Sequence, residues 1–216
     1  MKWIYLLCLV LISCSQNLKN DKGCELNDSS LIDGGSDADD ARLRALNDSI
    51  DQVFRSIGLA DITSVNSKIR VDLRYASTNN FMNFILYDTL RRVYLQKEVA
   101  ERLSKCQDFL DSIRPGYRLL VFDGVRPQQV QREMWDALDS IPRYRRGKFV
   151  SNPSKGSVHN FGAAVDLTII DESGKELDMG AGYDDFREIA FPSLEARFLK
   201  SGELTIKQGK NRKLLR

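Results

Sequence analysis

The chain has 216 residues, enough for one domain with a hydrophobic core and too few for two once its N-terminus is set aside. Its 32 Lys and Arg stand against 30 Asp and Glu, so the net charge of +2 gives no overall field pointing to nucleic acid or to an acidic membrane surface as partner. A single histidine confines imidazole chemistry to one position.

The chain opens with Met1-Lys2-Trp3-Ile4-Tyr5 and an apolar run over 6–12, well short of the roughly 20 residues a membrane-spanning helix needs. Residues 1–13 therefore read as a secretory signal. The run ends at Leu11-Ile12-Ser13-Cys14, which resembles the lipobox of bacterial lipoproteins and makes Cys14 the lipidation site. An ordinary cleaved signal is the alternative. On the lipobox reading the protein is exported, faces the periplasm and touches the membrane through its lipid anchor only. Residues 14–40, rich in Ser, Asp, Asn and Gly, have too few apolar side chains to offset the entropy of ordering and are expected to form a flexible tether. Export leaves Cys24 and Cys106 in a compartment that permits disulfides, either paired or as two free thiols with Cys106 buried.

The folded domain, 41–216, is expected to begin with a helix over 41–57, where Leu43, Leu46, Ile50, Val53 and Phe54 recur at helical spacing. Alternation of Ile69, Val71, Leu73 and Tyr75 with charged residues predicts a half-buried strand. A helix over 94–113 carries Leu95, Val99, Leu103, Cys106 and Leu110 on one stripe and stops before Pro115-Gly116. The apolar run 117–122 predicts a strand, followed by Asp123-Gly124-Val125-Arg126-Pro127, with Pro127 the first residue of a helix bearing Val130, Met134 and Leu138. The basic run 143–148 reads as a solvated turn, 163–170 as a strand, and 211–216 as a helix opening that stops after about one turn with no cap.

The chemistry concentrates in Ser157-Val-His159-Asn-Phe-Gly162-Ala-Ala164-Val-Asp166-Leu-Thr168. Gly162 permits a tight turn, and strand alternation puts Ala164, Asp166 and Thr168 on one face, with small Ala164 leaving room beside the carboxylate. A loop imidazole and a strand carboxylate can then converge on one ion, with Ser157 nearby. From the residues alone, a hydrogen-bonded structural His–Asp pair is the other reading.

The pattern Ser157-x-His159-x-x-Gly162-x-Ala164-x-Asp166 resembles the zinc-binding signature of the D,D-peptidases that include D-alanyl-D-alanine dipeptidases. Further matches follow the family order: Leu73-Arg-Tyr75-Ala76 with Asn80-Phe81, Asp123-Gly124-x-Arg126-Pro127, and Met179-Gly180 with Tyr183-Asp184-x-Phe186. The resemblance covers about 65–216. It implies an α+β fold, a small antiparallel sheet flanked by helices, with one zinc ion bound by His159 and Asp166. It further implies that Arg126 stabilises the transition state, that Asp184 and Tyr75 face the substrate ammonium, and that Ser157 lies near its carboxylate. Replacing Arg126 by Ala is expected to cost turnover and little folding.

In the family, a second histidine ligand and a glutamate base lie in a Glu-Trp-Trp-His-like segment near the C-terminus. Residues 1–216 contain no such segment, so the expectation is a domain whose C-terminal segment is missing and whose activity is reduced. Two functions follow. One is zinc-dependent hydrolysis of D-alanyl-D-alanine, a small dipeptide, to two D-alanines in cell-wall peptide turnover. The other is a catalytically inactive lipoprotein that binds D-amino-acid peptides or a protein partner.

Overall fold

The computed structural model describes residues 37–216, so the signal, Cys14, Cys24 and the tether as far as residue 36 lie outside the described residues. Helix α1 (Asp37–Ser56) begins at Asp37 rather than at residue 41. Only the end of its apolar stripe is covered: Phe54 is buried edge-on against Tyr94, whereas Leu43 and Leu46 are exposed. Strand β1 (Leu59–Asp61) runs into a short helix, α2 (Ile62–Val65), capped by the Asp61 carboxylate, which accepts from the Thr63 amide.

The strand expected over 69–75 is reduced to β2 (Arg70–Val71), because the chain coils into a 3₁₀ turn at Arg74–Ala76 that carries Tyr75 into the interior at 2% exposure. Likewise, the helix expected from residue 94 starts three residues late. Strand β3 (Tyr94–Gln96) pairs antiparallel with β1 before α3 (Lys97–Ile113) begins.

The inner face of α3 is Ala100, Leu103, Gln107 and Leu110, and Cys106 is an exposed free thiol, contrary to the expectation that it is buried. Gln107 takes the inward place because it has a task there. Its Oε1 accepts from the Leu119 amide at 2.7 Å and its Nε2 donates to the Tyr117 carbonyl at 3.2 Å, joining α3 to β4 (Arg118–Asp123).

After β4, Pro127 stands just before α4 (Gln128–Ala137) as its N-cap, one position earlier than expected. The basic run forms a one-turn helix, α5 (Arg143–Arg146), and is not wholly solvated. Arg146 is buried, donating to the carbonyls of Trp135 and Ile141 and closing the C-terminal end of α4. Strand β5 (Asp166–Ile170) completes a three-stranded sheet of order β2-β4-β5. The fold is α+β, with small sheets flanked by helices; β4 pairs parallel with β2 and antiparallel with β5.

Two helices follow, α6 (Glu195–Ser201) and α7 (Ile206–Leu215). Helix α7 starts well before residue 211. Thr205 and Gln208 form a reciprocal capping box, a Thr-x-x-Gln signal that reading only 211–216 overlooks. Among the described residues no helix is long and apolar enough to cross a membrane.

The sheet register is what positions the site. Residue Val121 faces Leu167, but Asp123 faces Asp166, so Phe122 is the extra residue of a bulge at the end of β4. The bulge brings two carboxylates directly opposite one another.

Because Gln107 is fully buried, Gln107→Leu would leave the Leu119 amide without its acceptor. We expect a loss of roughly 1–3 kcal/mol, measured by urea denaturation, whereas Cys106→Ser should be neutral.

Candidate metal centre

His159 lies on a 3₁₀ turn, Val158–Phe161, that follows from its flanking residues. Ser157 caps the turn by accepting from the His159 amide, Asn160 returns its side-chain oxygen to the Ser157 amide, and Gly162 ends it at φ 63°. A Cβ on Gly162 would lie 2.9 Å from Leu59 and 3.2 Å from the Gln96 amide, so the turn sits hard against the β1–β3 ribbon. The Gln96 amide donates to the Gly162 carbonyl and its side chain to the Phe161 carbonyl.

The strand-end loop is pinned to the same ribbon. Gly124 leaves no space for a side chain, since a Cβ there would meet Val93 at 2.5 Å, and the Val125 amide donates to the Tyr94 carbonyl. Two further bonds join loop and turn: the Arg126 amide donates to the His159 carbonyl and Asn160 Nδ2 to the Arg126 carbonyl. The loops carrying Arg126 and His159 are therefore one rigid piece.

His159 Nδ1 is 2.9 Å from the Gly124 carbonyl oxygen, which can only accept, so Nδ1 carries the proton. That leaves Nε2 facing Asp166 Oδ1 at 3.5 Å. The spacing suits two ligands each about 2.0–2.2 Å from one ion in tetrahedral geometry, with the carbonyl bond fixing the ring as an outer partner should. Burial opposes charge on the ring, but the bond to Asp166 and the charges of Asp166 and Asp123 outweigh it, and the His159 pKa is raised. A cation at Nε2 would take the place of the second proton, the one that charges the ring.

Asp123 belongs to the same cluster of possible ligands: one carboxylate oxygen from it, one ring nitrogen of His159 and one oxygen of Asp166 all lie within 4.8 Å of one another. Its lone pairs are already committed. Oδ1 accepts from Tyr87 Oη at 2.7 Å, while Oδ2 accepts from Arg126 Nη2 at 2.6 Å and Nε at 3.0 Å, and the carboxylate is fully buried. A cation shared by His159 and Asp166 would thus have Asp123 behind it, holding Arg126.

Arg126 thus pairs with Asp123 at the end of β4 and bonds Gln131 through Nη1. Burial opposes its charge, but Asp123 more than compensates and holds it ionised, while Nη2 lies 3.9 Å from Asp166 Oδ2. The expectation that Arg126→Ala spares the fold does not survive this geometry, because Asp123 would be left as a buried unpaired charge at a cost of about 3–5 kcal/mol.

Across the site, Tyr75 Oη donates to Asp184 Oδ2 at 3.2 Å, and the Arg126 guanidinium sits 5.1 Å over the Tyr75 ring. Asp184 adopts φ 55°, a left-handed conformation, in the loop that closes the site. Burial and then the charge of Asp166 push its pKa up to about 6, against the pull of the Tyr75 bond and Arg126. Tyr183, beside it, donates weakly to Asp166 Oδ2 at 3.4 Å and packs on Phe122. A cleft of about 450 Å³ abuts Tyr183 and is lined by Arg74, Asn80 and Glu176, but it touches none of Asp123, Arg126, His159 or Asp166 and is not the reacting site.

The structure thus gathers Tyr75, Arg126, Ser157, His159, Asp166 and Asp184 into one region. Sequence reasoning missed the supporting set of Asp123, Tyr87 and Gln131. Asp123 entered only as the first residue of the Asp123-Gly124-x-Arg126-Pro127 match, and Gln131, a fully buried amide on α4, could have been suspected from its place beside Val130 and Met134. No periodic signal marks Tyr87. Of the glutamates before the C-terminal helix, Glu195 accepts from Arg216 at 2.7 Å through Oε1, while its buried Oε2 lies 3.9 Å from Arg212 without a hydrogen bond.

An imidazole and a carboxylate facing each other beside a buried guanidinium form a candidate metal site on an α+β scaffold. Comparison with known sequences gives the family: the peptidase M15 profile, D-Ala-D-Ala dipeptidase, matches residues 55–216, and the chain belongs to that family of metalloenzymes. It is 34% identical over 130 residues to the D-alanyl-D-alanine dipeptidase of Escherichia coli (strain K12), a match covering 60% of this chain and 63% of that protein. It is 29% identical over 122 residues to a D-alanyl-D-alanine dipeptidase of Synechocystis sp., covering 46% of this chain and 49% of the relative. The chain thus matches less than two thirds of the length of either relative.

Because the Asp184 pKa in the folded chain lies above the usual carboxylate value of 3.8, its ionised form costs stability above about pH 6, and the cost vanishes as pH falls toward 4. Asn keeps the shape and tolerates the left-handed φ. Metal-free Asp184→Asn should melt a few degrees above the parent at pH 7.5 and together with it near pH 4.

Proposed function

We propose that the chain is a zinc-dependent D-alanyl-D-alanine dipeptidase, releasing two D-alanines in cell-wall peptide turnover. We further propose that it is exported and held by a lipid on Cys14 at a membrane facing the periplasm. The observation that carries the enzymatic reading is the 3.5 Å approach of His159 Nε2 to Asp166 Oδ1, with Arg126 and Asp184 turned toward the same space.

Zinc bound by His159 and Asp166 would supply Lewis acidity and lower the pKa of water. The protein's own groups then divide a zwitterionic dipeptide between them. Asp184, ionised at neutral pH, takes the ammonium, and Tyr75 fixes the carboxylate that does so. Arg126 has used three of its N–H groups on Asp123 and Gln131, and the remaining two are free for the carbonyl oxygen as it gains negative charge. The Ser157 oxygen accepts from the His159 amide, which leaves its O–H to donate to the substrate carboxylate. Closure of the amine end by Asp184 and Tyr75 favours a free dipeptide over a longer peptide.

The cluster of possible ligands among the described residues contains no glutamate. That favours, as a second reading, a lipoprotein that binds D-amino-acid peptides or a protein partner without hydrolysing them. Incubating the zinc-loaded chain with D-alanyl-D-alanine and measuring free D-alanine separates the two: release supports the enzyme, and saturable binding without release supports the binding protein.

Elemental analysis after dialysis should find one chelator-sensitive zinc per chain, and none in His159→Ala. Zinc affinity should rise with pH through the raised His159 pKa and then level off, because the ion must displace a proton. Retained zinc in His159→Ala would show that the site is elsewhere.

Arg126→Lys keeps a cation beside Asp123 but loses the planar fork. Turnover should fall at least about a hundredfold in a variant that still folds, and unchanged kcat/KM would remove Arg126 from the transition state.

A further inference from the structure

We propose that Gln131 is a positioning residue for Arg126, fixing the tilt at which the guanidinium meets the substrate carbonyl. The chemistry rests on the dipeptidase reading above. The geometry stands on its own.

Arg126 does not grip Asp123 through the two-oxygen fork that locks a guanidinium in plane. Both Nε and Nη2 bond the same oxygen, Oδ2, since Tyr87 occupies Oδ1. A contact at one oxygen atom is a pivot, about which a planar group can rock.

Gln131 removes that freedom. Its Oε1 accepts from Arg126 Nη1 at 3.0 Å, on the arm of the guanidinium that Asp123 does not touch. Its Nε2 donates to the Ser151 carbonyl at 2.8 Å, so the two ends of the amide face partners of opposite hydrogen-bonding character and the orientation cannot reverse. Gln131 is fully buried and sits in the first turn of α4, where its amide bonds the Pro127 carbonyl directly after Arg126. With Nε, Nη2 and Nη1 all anchored, the two remaining N–H groups are aimed rather than merely present. A donor fixed before reaction stabilises developing charge without reorganising, which is where such a clamp contributes.

The test compares the parent with Gln131→Met, which keeps length and helix propensity but removes the acceptor, and Gln131→Glu, which restores the acceptor. In ¹⁵N NMR of the arginine side chains, rotation of Arg126 Nη1 should be at least about tenfold faster in Gln131→Met and remain slow in Gln131→Glu, with the Nε–H protected in all three. On the zinc-loaded chain, the Kd of a phosphinate analogue of D-alanyl-D-alanine should weaken at least about tenfold in Gln131→Met, while the Kd of D-alanine stays within about twofold. Equal losses for both ligands, or Nη1 rotation indifferent to the substitution, would overturn the proposal. If the parent binds no phosphinate, the dipeptidase reading fails, and Nη1 rotation alone then decides whether Gln131 clamps the guanidinium.

Discussion

A carboxylate with no exposure to water, Asp123, stands at the centre of this molecule's chemistry. Such a group persists only if its charge is balanced and its lone pairs are filled, and here Arg126 and Tyr87 do both. Burial and the Asp123 charge push the Tyr87 phenol well above its usual pKa, so it remains a donor. From this one fixed anion follow the placement of the guanidinium and part of the field that raises the His159 pKa.

The scaffold supports that arrangement by close approach rather than by mass. Gly124 and Gly162 both press against the β1–β3 ribbon at distances a side chain would forbid, and β3 binds both segments through backbone hydrogen bonds. The bulge at Phe122 then sets Asp123 opposite Asp166. Five short strands and two loops are enough to hold an imidazole, two aspartates and an arginine within a few ångströms. The far wall is built differently: Asp184, in a left-handed conformation with a raised pKa, carries backbone strain and a desolvation cost.

Legibility in the sequence followed locality. Strand β4 and helix α3 were readable because each is a continuous periodic segment, and the His159–Asp166 pair because both residues lie in one short run joined by Gly162. Residues Tyr94–Gln96 were not, since their apolar pattern merges with that of the helix after them. Neither were the 3₁₀ turns, which bury Tyr75 and present His159 without any periodicity of their own. Cys106 and Gln107 show the limit most clearly. Both spacings complete a helical stripe with Leu103 and Leu110, and hydrophobicity favours the cysteine, but only the glutamine can satisfy the backbone of β4. The roles of Asp123 and Gln131 depend on partners brought together by the fold, and no local pattern encodes them.

The proposed chemistry requires one imidazole and one carboxylate to share a cation. X-ray absorption at the zinc edge of the zinc-loaded chain addresses that most directly. It should show a single imidazole nitrogen with oxygen ligands, all at about 2.0–2.2 Å. A shell containing sulfur at about 2.3 Å, or no imidazole at all, would contradict it.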